Sequence, residues 1–160
     1  MQNLTQEELN ERVAILKRYR KLLEEQKSKF EEYLKVLESH QKQIDVENAE
    51  SITAHSRLET QIVGSISNLQ KVIEPMKLLY QTSNAAKYSP EESICVERIT
   101  SELSSLHTRV LAQNEINKKL LQSHMVQVKN QMSQIHNPYR TARSVYAERA
   151  AVGSVIYTEA

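Results

Sequence analysis

The residues that most often carry chemistry in helical proteins are present in this chain, but not in the spacings that catalysis or metal binding requires. A di-metal helical bundle needs a glutamate three residues before a histidine on two of its helices. None of the five histidines has one, because the residues at that position are Leu37, Ile52, Ser104, Leu121 and Ser133. We therefore expect no metal, no other cofactor and no enzymatic activity.

Cys95 is the only cysteine, so it has no partner for an intramolecular disulfide. It has no histidine nearby in the sequence, and we expect it to pack as a small apolar residue. The chain also lacks a glycine-rich phosphate loop, a nucleophile-elbow motif and a cysteine–histidine zinc spacing. A free thiol suits a reducing compartment, and the first residues contain no apolar signal region. These features together predict a cytoplasmic protein.

The charge pattern argues against two classes of partner. Charged residues make up 26% of the chain, the formal net charge is +1, and the two signs are interleaved. Nucleic-acid binding needs clustered basic residues, which this chain does not have. The longest uninterrupted apolar runs are only a few residues, so we expect no membrane insertion.

The chain has few turn-forming residues, with two glycines and three prolines among 160 residues. This composition favours long helices.

Thr5 and Glu8 have the spacing of a capping box, and a first helix is predicted over about 5–44. An apolar residue recurs every seven positions along it, at Leu9, Leu16, Leu23, Phe30, Leu37 and Ile44. A companion series on the same side reads Val13, Arg20, Lys27, Leu34 and Gln41, and three of these five residues are polar. This helix is therefore expected to pack in a bundle or in a coiled coil with a mixed seam.

A second helix is predicted over about 47–81. Its stripe has spacings of three or four throughout, at Ile52, His55, Glu59, Ile62, Ile66, Leu69, Ile73, Met76 and Tyr80. Pro75 either kinks this helix or begins a new one, and the continuous stripe favours the kink. Gly64 lies inside the helix and predicts a close helix crossing, with a docking groove for a partner as the alternative.

A third helix is predicted over about 90–136, beginning with Ser89 as N-cap and Pro90 at the first position. Its stripe weakens at Gln113, Asn114 and Asn117 and returns one position displaced, starting at Leu121. Met125 and Met132 are expected to pack in the core, with an adaptable binding surface as the alternative. The sequence thus predicts an all-α fold in which residues 1–136 form three long helices in an antiparallel bundle or coiled coil.

Residues 137–160 differ in composition and are predicted to be a weakly ordered C-terminal tail. The tail carries Tyr139, Tyr146 and Tyr157 together with three arginines, and these are residue types enriched at binding hot spots. A binding tail is therefore favoured over a segment that folds back on the bundle.

Asn137-Pro138-Tyr139, then Ala142-Arg143-Ser144-Val145-Tyr146 and Gly153-Ser154, follow the long last helix. This arrangement resembles the FlgN family of flagellar type III export chaperones. The resemblance implies a cytosolic chaperone, a monomer or weak homodimer. Such a chaperone binds the hook-associated proteins FlgK and FlgL, prevents their premature assembly and delivers them to the flagellar export apparatus.

In that family the substrate-protein binding region is the C-terminal part. Carried over, the expected site is formed by Leu121, Met125, Val128, Met132, Ile135, Asn137, Pro138, Tyr139, Arg143, Val145, Tyr146 and Ile156. An amphipathic helix of the client would lie against the apolar members of this set. The competing hypothesis is a structural coiled-coil adaptor that self-associates through the seam of residues 9–44.

Overall fold

A computed structural model describes residues 5–46 and 49–135, and these residues form three long helices. Helix α1 spans Gln6–Asp45, α2 spans Ala49–Thr82 and α3 spans Pro90–Gln134, with a short 3-10 helix at Ala85–Lys87 before α3. No strand occurs among the described residues. The predicted all-α fold of three long helices is confirmed, while the tail 137–160 lies outside the described residues.

The start of α1 has the predicted capping box. The backbone N–H of Glu8 donates to Oγ1 of Thr5 at 3.3 Å, and the backbone N–H of Thr5 donates to Oε2 of Glu8 at 2.8 Å. The pKa of the Glu8 carboxyl is lowered, mainly by the hydrogen bond from the Thr5 backbone and also by a hydrogen bond with the Thr5 side chain. Two of the free N–H groups at this helix end are thereby satisfied.

Helix α2 continues through Pro75, so the alternative in which a new helix begins there is wrong. The ring nitrogen of Pro75 carries no hydrogen, and the carbonyl of Lys71 therefore receives no helical bond from that position. Gly64 also differs from expectation. A Cβ added there would meet no atom within 4 Å, so the predicted close helix crossing at Gly64 is wrong.

Contacts between the helices establish an up-down-up arrangement. The rings of Tyr19 and Tyr80 stack with centroids 4.9 Å apart, and Ser39 Oγ lies 3.2 Å from His55 Nε2, so α1 and α2 are antiparallel. Helices α1 and α3 are parallel, because residue numbers rise together in their contacts. Arg20 pairs with Glu92, Lys27 with Glu102, and the Tyr33 hydroxyl accepts from Asn114.

Most of the core lies in two apolar clusters, which include members of the predicted stripes of α1 and α2. One lies towards the start of α1 and contains Leu16, Tyr19, Leu23, Ile73, Ala85, Val96 and Ile99. The other contains Tyr33, Leu34, Leu37, Ile62, Leu106 and Val110. Members of the seven-residue series of α1 therefore pack against the other two helices of the same chain.

Ion pairs join α1 to α3 at the edge of this core. Nζ of Lys27 donates to Oε2 of Glu102 at 2.6 Å. This hydrogen bond raises the pKa of the Lys27 ammonium and lowers the pKa of the Glu102 carboxyl. Both side chains are partly exposed, so the pair orients the helices more than it stabilises them.

The contacts divide the chain after Gln122 into two units. The bundle unit, Met1–Gln122, holds both core clusters. The C-terminal unit is Ser123–Ala160, of which residues 123–135 are described. Within the described part of the chain, no helix combines the length and apolar character that crossing a membrane requires.

Candidate functional site

The predicted client-binding residues fall into three groups. Leu121 is half-buried and belongs to the bundle unit. A second group, which we call the C-terminal stripe, belongs to the C-terminal unit and is exposed: Met125, Val128, Met132 and Ile135. The remaining seven residues lie outside the described residues, and their predicted roles stay predictions: Asn137, Pro138, Tyr139, Arg143, Val145, Tyr146 and Ile156.

The C-terminal stripe is an apolar helix face without a partner in the described part of the chain. Met125 is 72% exposed, Met132 68% and Ile135 73%. Successive members are three or four residues apart, so they lie on one side of the helix. The helical bonding extends to the last of them, since the Ile135 N–H donates to the Gln131 carbonyl at 3.1 Å. The expectation that Met125 and Met132 pack in the core is wrong, because both are exposed.

The surroundings of the stripe carry little charge. Among residues 123–135, Lys129 is the only lysine, arginine, aspartate or glutamate. Val126 adds a further apolar side chain and is 59% exposed. An exposed apolar face of this kind is typical of a surface that binds another apolar face. Methionine side chains are flexible and polarisable, so such a surface adapts to more than one partner.

Before the stripe, a polar layer joins α3 to α1 at the point where the apolar pattern of α3 weakens. Gln113 Nε2 donates to Gln41 Oε1 at 2.6 Å and to Asn117 Oδ1 at 3.0 Å. Asn117 is buried and donates to the backbone carbonyl of Leu37 at 2.9 Å. The displaced apolar pattern of α3 did not predict this layer. The signal that could have revealed it is Gln41, a polar residue in the companion series of α1.

A second polar cluster joins α1 to α2 and contains two of the five histidines. Nδ1 of buried His40 contacts Oε1 of Glu59, and the ring of His55 stacks on His40 with centroids 5.6 Å apart. Nε2 of His40 is buried, and no described residue forms a hydrogen bond with it. No three metal-ligating side chains come together among the described residues. The cluster therefore adds polar and ring contacts between α1 and α2.

Cys95 is a half-buried free thiol on the first turns of α3. It does not belong to either core cluster, although its neighbour Val96 does. Its packing as a small apolar side chain stays a prediction.

Comparison with known proteins adds one relationship to this geometry. No family model matches the chain, and no solved structure matches it. The chain is 32% identical over 157 residues to an uncharacterized protein of Treponema pallidum (strain Nichols), and the match covers 96% of this chain and 94% of that protein. Since the similarity extends over nearly the whole of both chains, this chain belongs to the same family as the treponemal protein.

Proposed function

We propose that the protein is a flagellar export chaperone, which binds the terminal helices of the hook-associated proteins FlgK and FlgL. In this role it prevents their premature assembly and delivers them to the type III export apparatus. The observation that carries the proposal is the C-terminal stripe, an exposed apolar face directly before the tail that resembles the FlgN family. The client surface would be the stripe together with residues 137–156.

The burial of the apolar series of α1 favours this function over that of a coiled-coil adaptor. Self-association of an adaptor would use the apolar series of residues 9–44. Leu16 and Leu37 in that series are 0% exposed, and they are covered by α2 and α3 of the same chain. The seam is therefore already used within the bundle, whereas the C-terminal stripe is not covered by any described residue.

The chemistry of the stripe fits a client that must later be released. An amphipathic helix would place apolar residues three and four apart against Met125, Val128 and Met132. The contact would be apolar and nearly uncharged, so partner helices of different sequence could pack against the same methionines. Ordering a tail on binding costs free energy, and the affinity should therefore be moderate.

The function is tested by calorimetric titration with peptides of the FlgK and FlgL terminal helices from the same organism. The full chain should bind at least one of them with a Kd of about 1 μM or tighter, the range expected of a releasable helix contact. A 1–136 truncation should lose this binding while keeping its helical circular dichroism.

A pair of double variants locates the contact on the stripe. Met125→Asp with Met132→Asp places two charges on the apolar face and should abolish binding. Gln127→Asp with Gln134→Asp adds the same charges to the same helical segment with the same seven-residue spacing, on the opposite side from the stripe, and serves as the matched control. Absence of binding by the folded full chain, or equal losses in both double variants, would contradict the proposal.

A further inference from the structure

A groove runs between α2 and α3 in the bundle unit, with α1 as its floor. It consists of two adjoining hollows of about 480 Å³ and about 540 Å³. Four side chains line both hollows, so the two are continuous: Tyr19, Lys77, Thr100 and Ser104. None of the described residues of the predicted client site, and none of the residues of the two polar clusters, lines this groove.

The walls of the groove extend beyond the two hollows. Gln70 and Lys77 line it from α2, and Val63 lies seven residues before Gln70 on the same helix face. On α3, Ser104 and His107 line it, and Leu111 continues that face.

Val63 and Leu111 also lie at the same level of the bundle. Each directly follows a member of one core cluster, Ile62 and Val110 respectively. Val63 is nevertheless 45% exposed and Leu111 is 56% exposed. The face of α3 from Val96 to Leu111 has a length of about 22 Å, which is the length of a helix of about four turns.

The floor that α1 provides is mostly apolar, and Gln26 adds one buried amide, which donates to Oε1 of Gln70 on α2 at 2.5 Å. Leu23 and Phe30 of α1 lie beneath the groove, and the Phe30 ring meets the His107 ring edge-on with centroids 6.1 Å apart. Burial raises the pKa of the Tyr19 hydroxyl, and nearby Tyr80 and Glu74 raise it further. The Tyr19 hydroxyl therefore remains neutral over the physiological range and adds no charge to the floor.

Two features of the walls indicate which partner fits. Thr100, Ser101 and Ser104 are small, so a partner backbone can approach α3 closely. Among the described residues that line the groove, the charged ones are Glu74 and Lys77 on α2 and Glu97 on α3. The groove therefore has one more carboxylate than ammonium group. A basic residue on the partner is therefore favoured near Glu97.

We propose that the α2–α3 groove binds an amphipathic helix of the client protein, which lies in it as a fourth helix of the bundle. The bound helix carries an apolar stripe with spacings of three and four, and a lysine or arginine beside it that faces Glu97. This inference rests on the proposed chaperone function and assigns the client a second contact, formed by residues of the bundle unit alone.

The test compares two serine-to-tryptophan variants of the full chain. Ser104→Trp fills the groove at the point where the two hollows meet. Ser105→Trp places the same side chain one residue further along α3, at an exposed position that does not line the groove. In titrations with the FlgK and FlgL terminal-helix peptides, Ser104→Trp should weaken binding at least tenfold, and Ser105→Trp should leave it unchanged.

A second variant keeps the test valid if Ser104→Trp reduces the helical circular dichroism. Glu97→Lys replaces an exposed carboxylate on the groove wall and should weaken binding severalfold at low salt, with a smaller effect at high salt. Glu115→Lys makes the same charge change elsewhere on α3 and is the matched control. An unchanged affinity in Glu97→Lys at low salt would overturn the proposal, because the bound helix is defined by its basic residue facing Glu97.

The outcomes separate this inference from the proposed function. If the wild-type chain binds neither peptide, the chaperone function fails and the groove contact fails with it. If the wild type binds and Ser104→Trp binds equally well, only the groove contact is wrong.

A wild-type dimer that Ser104→Trp dissociates in sedimentation would identify a second copy of the chain as the occupant. Tighter peptide binding after removal of residues 137–160 would identify the tail as the occupant. Either of the last two results would overturn the inference.

Discussion

The side-chain amide of Asn117 on α3 donates a 2.9 Å hydrogen bond to the backbone carbonyl of Leu37 on α1. The carbonyl oxygen of the same amide accepts from Gln113, which also donates to Gln41. Leu37 has 0% exposure and belongs to the adjoining apolar cluster. A directional bond from a buried amide therefore fixes the register of α3 on α1 beside this cluster.

Two replacements of Asn117 should separate the contribution of its hydrogen bonds to stability from the contribution of the space that its side chain fills. Asn117→Ala leaves the Gln113 amide without one of its acceptors and opens space in the interior, and we expect a loss of about 1–3 kcal/mol in the free energy of unfolding. Asn117→Leu replaces the amide by an apolar group of similar size and should lose less. Urea denaturation measures both, with exposed Asn130→Ala as control. Equal stability of Asn117→Ala and wild type would show that the bond contributes nothing.

Gly64→Ala should stabilise the protein by about 1 kcal/mol, because alanine favours the helix more than glycine does. The added methyl group has no atom within 4 Å to clash with. The midpoint of urea denaturation should rise without a change in the slope of the transition. A destabilised Gly64→Ala variant would instead indicate the close helix crossing that the sequence suggested.

The Lys27–Glu102 pair should give stability a dependence on pH at both extremes. The folded-state pKa of Glu102 is lowered, so its contribution is present above the ordinary value of 4.5 and is lost as the pH falls through the lowered value. The folded-state pKa of Lys27 is raised, so its contribution is present below 10.5 and is lost as the pH rises through the raised value.

Melting temperatures measured from pH 2 to pH 12 test this dependence. Glu102→Gln should remove part of the acid-side decrease and lower the Tm slightly near neutrality, since partly exposed pairs contribute little. Glu115→Gln on the same helix is the control. A pH profile of Glu102→Gln that superimposes on the wild-type profile would contradict the expectation.

Leu16→Asp combined with Leu23→Asp should unfold the bundle, because both leucines belong to one buried cluster. Uncompensated carboxylates in an apolar core are costly enough to exceed the marginal stability of a small domain. Far-ultraviolet circular dichroism should show loss of helix. Ala14→Asp with Lys21→Asp, at exposed positions of the same helix, should leave the spectrum unchanged. If the double leucine variant merely dissociates an oligomer and stays helical, the coiled-coil adaptor is favoured.

The helices could be predicted from sequence because their signals are local. The Thr5–Glu8 capping box, Pro90 at the start of α3 and the seven-residue apolar series act within one or two turns. Gly64 and Met125 were predicted wrongly because their surroundings depend on where the neighbouring helices lie. The same is true of the polar contacts of Asn117 and His40, whose partners are 80 and 19 residues away in sequence.

The up-down-up order of the helices also sets an order for folding. Side chains that join α1 to α2 are as few as 16 or 19 residues apart in sequence, whereas those that join α1 to α3 are 72 to 81 residues apart. Short loops close faster and at lower entropic cost than long ones. On the ribosome, the α1–α2 hairpin can therefore form while α3 is still being synthesised, and its apolar seam stays open until the third helix emerges. We expect this interval, before α3 covers Leu16 and Leu37, to be when the chain is most prone to aggregate.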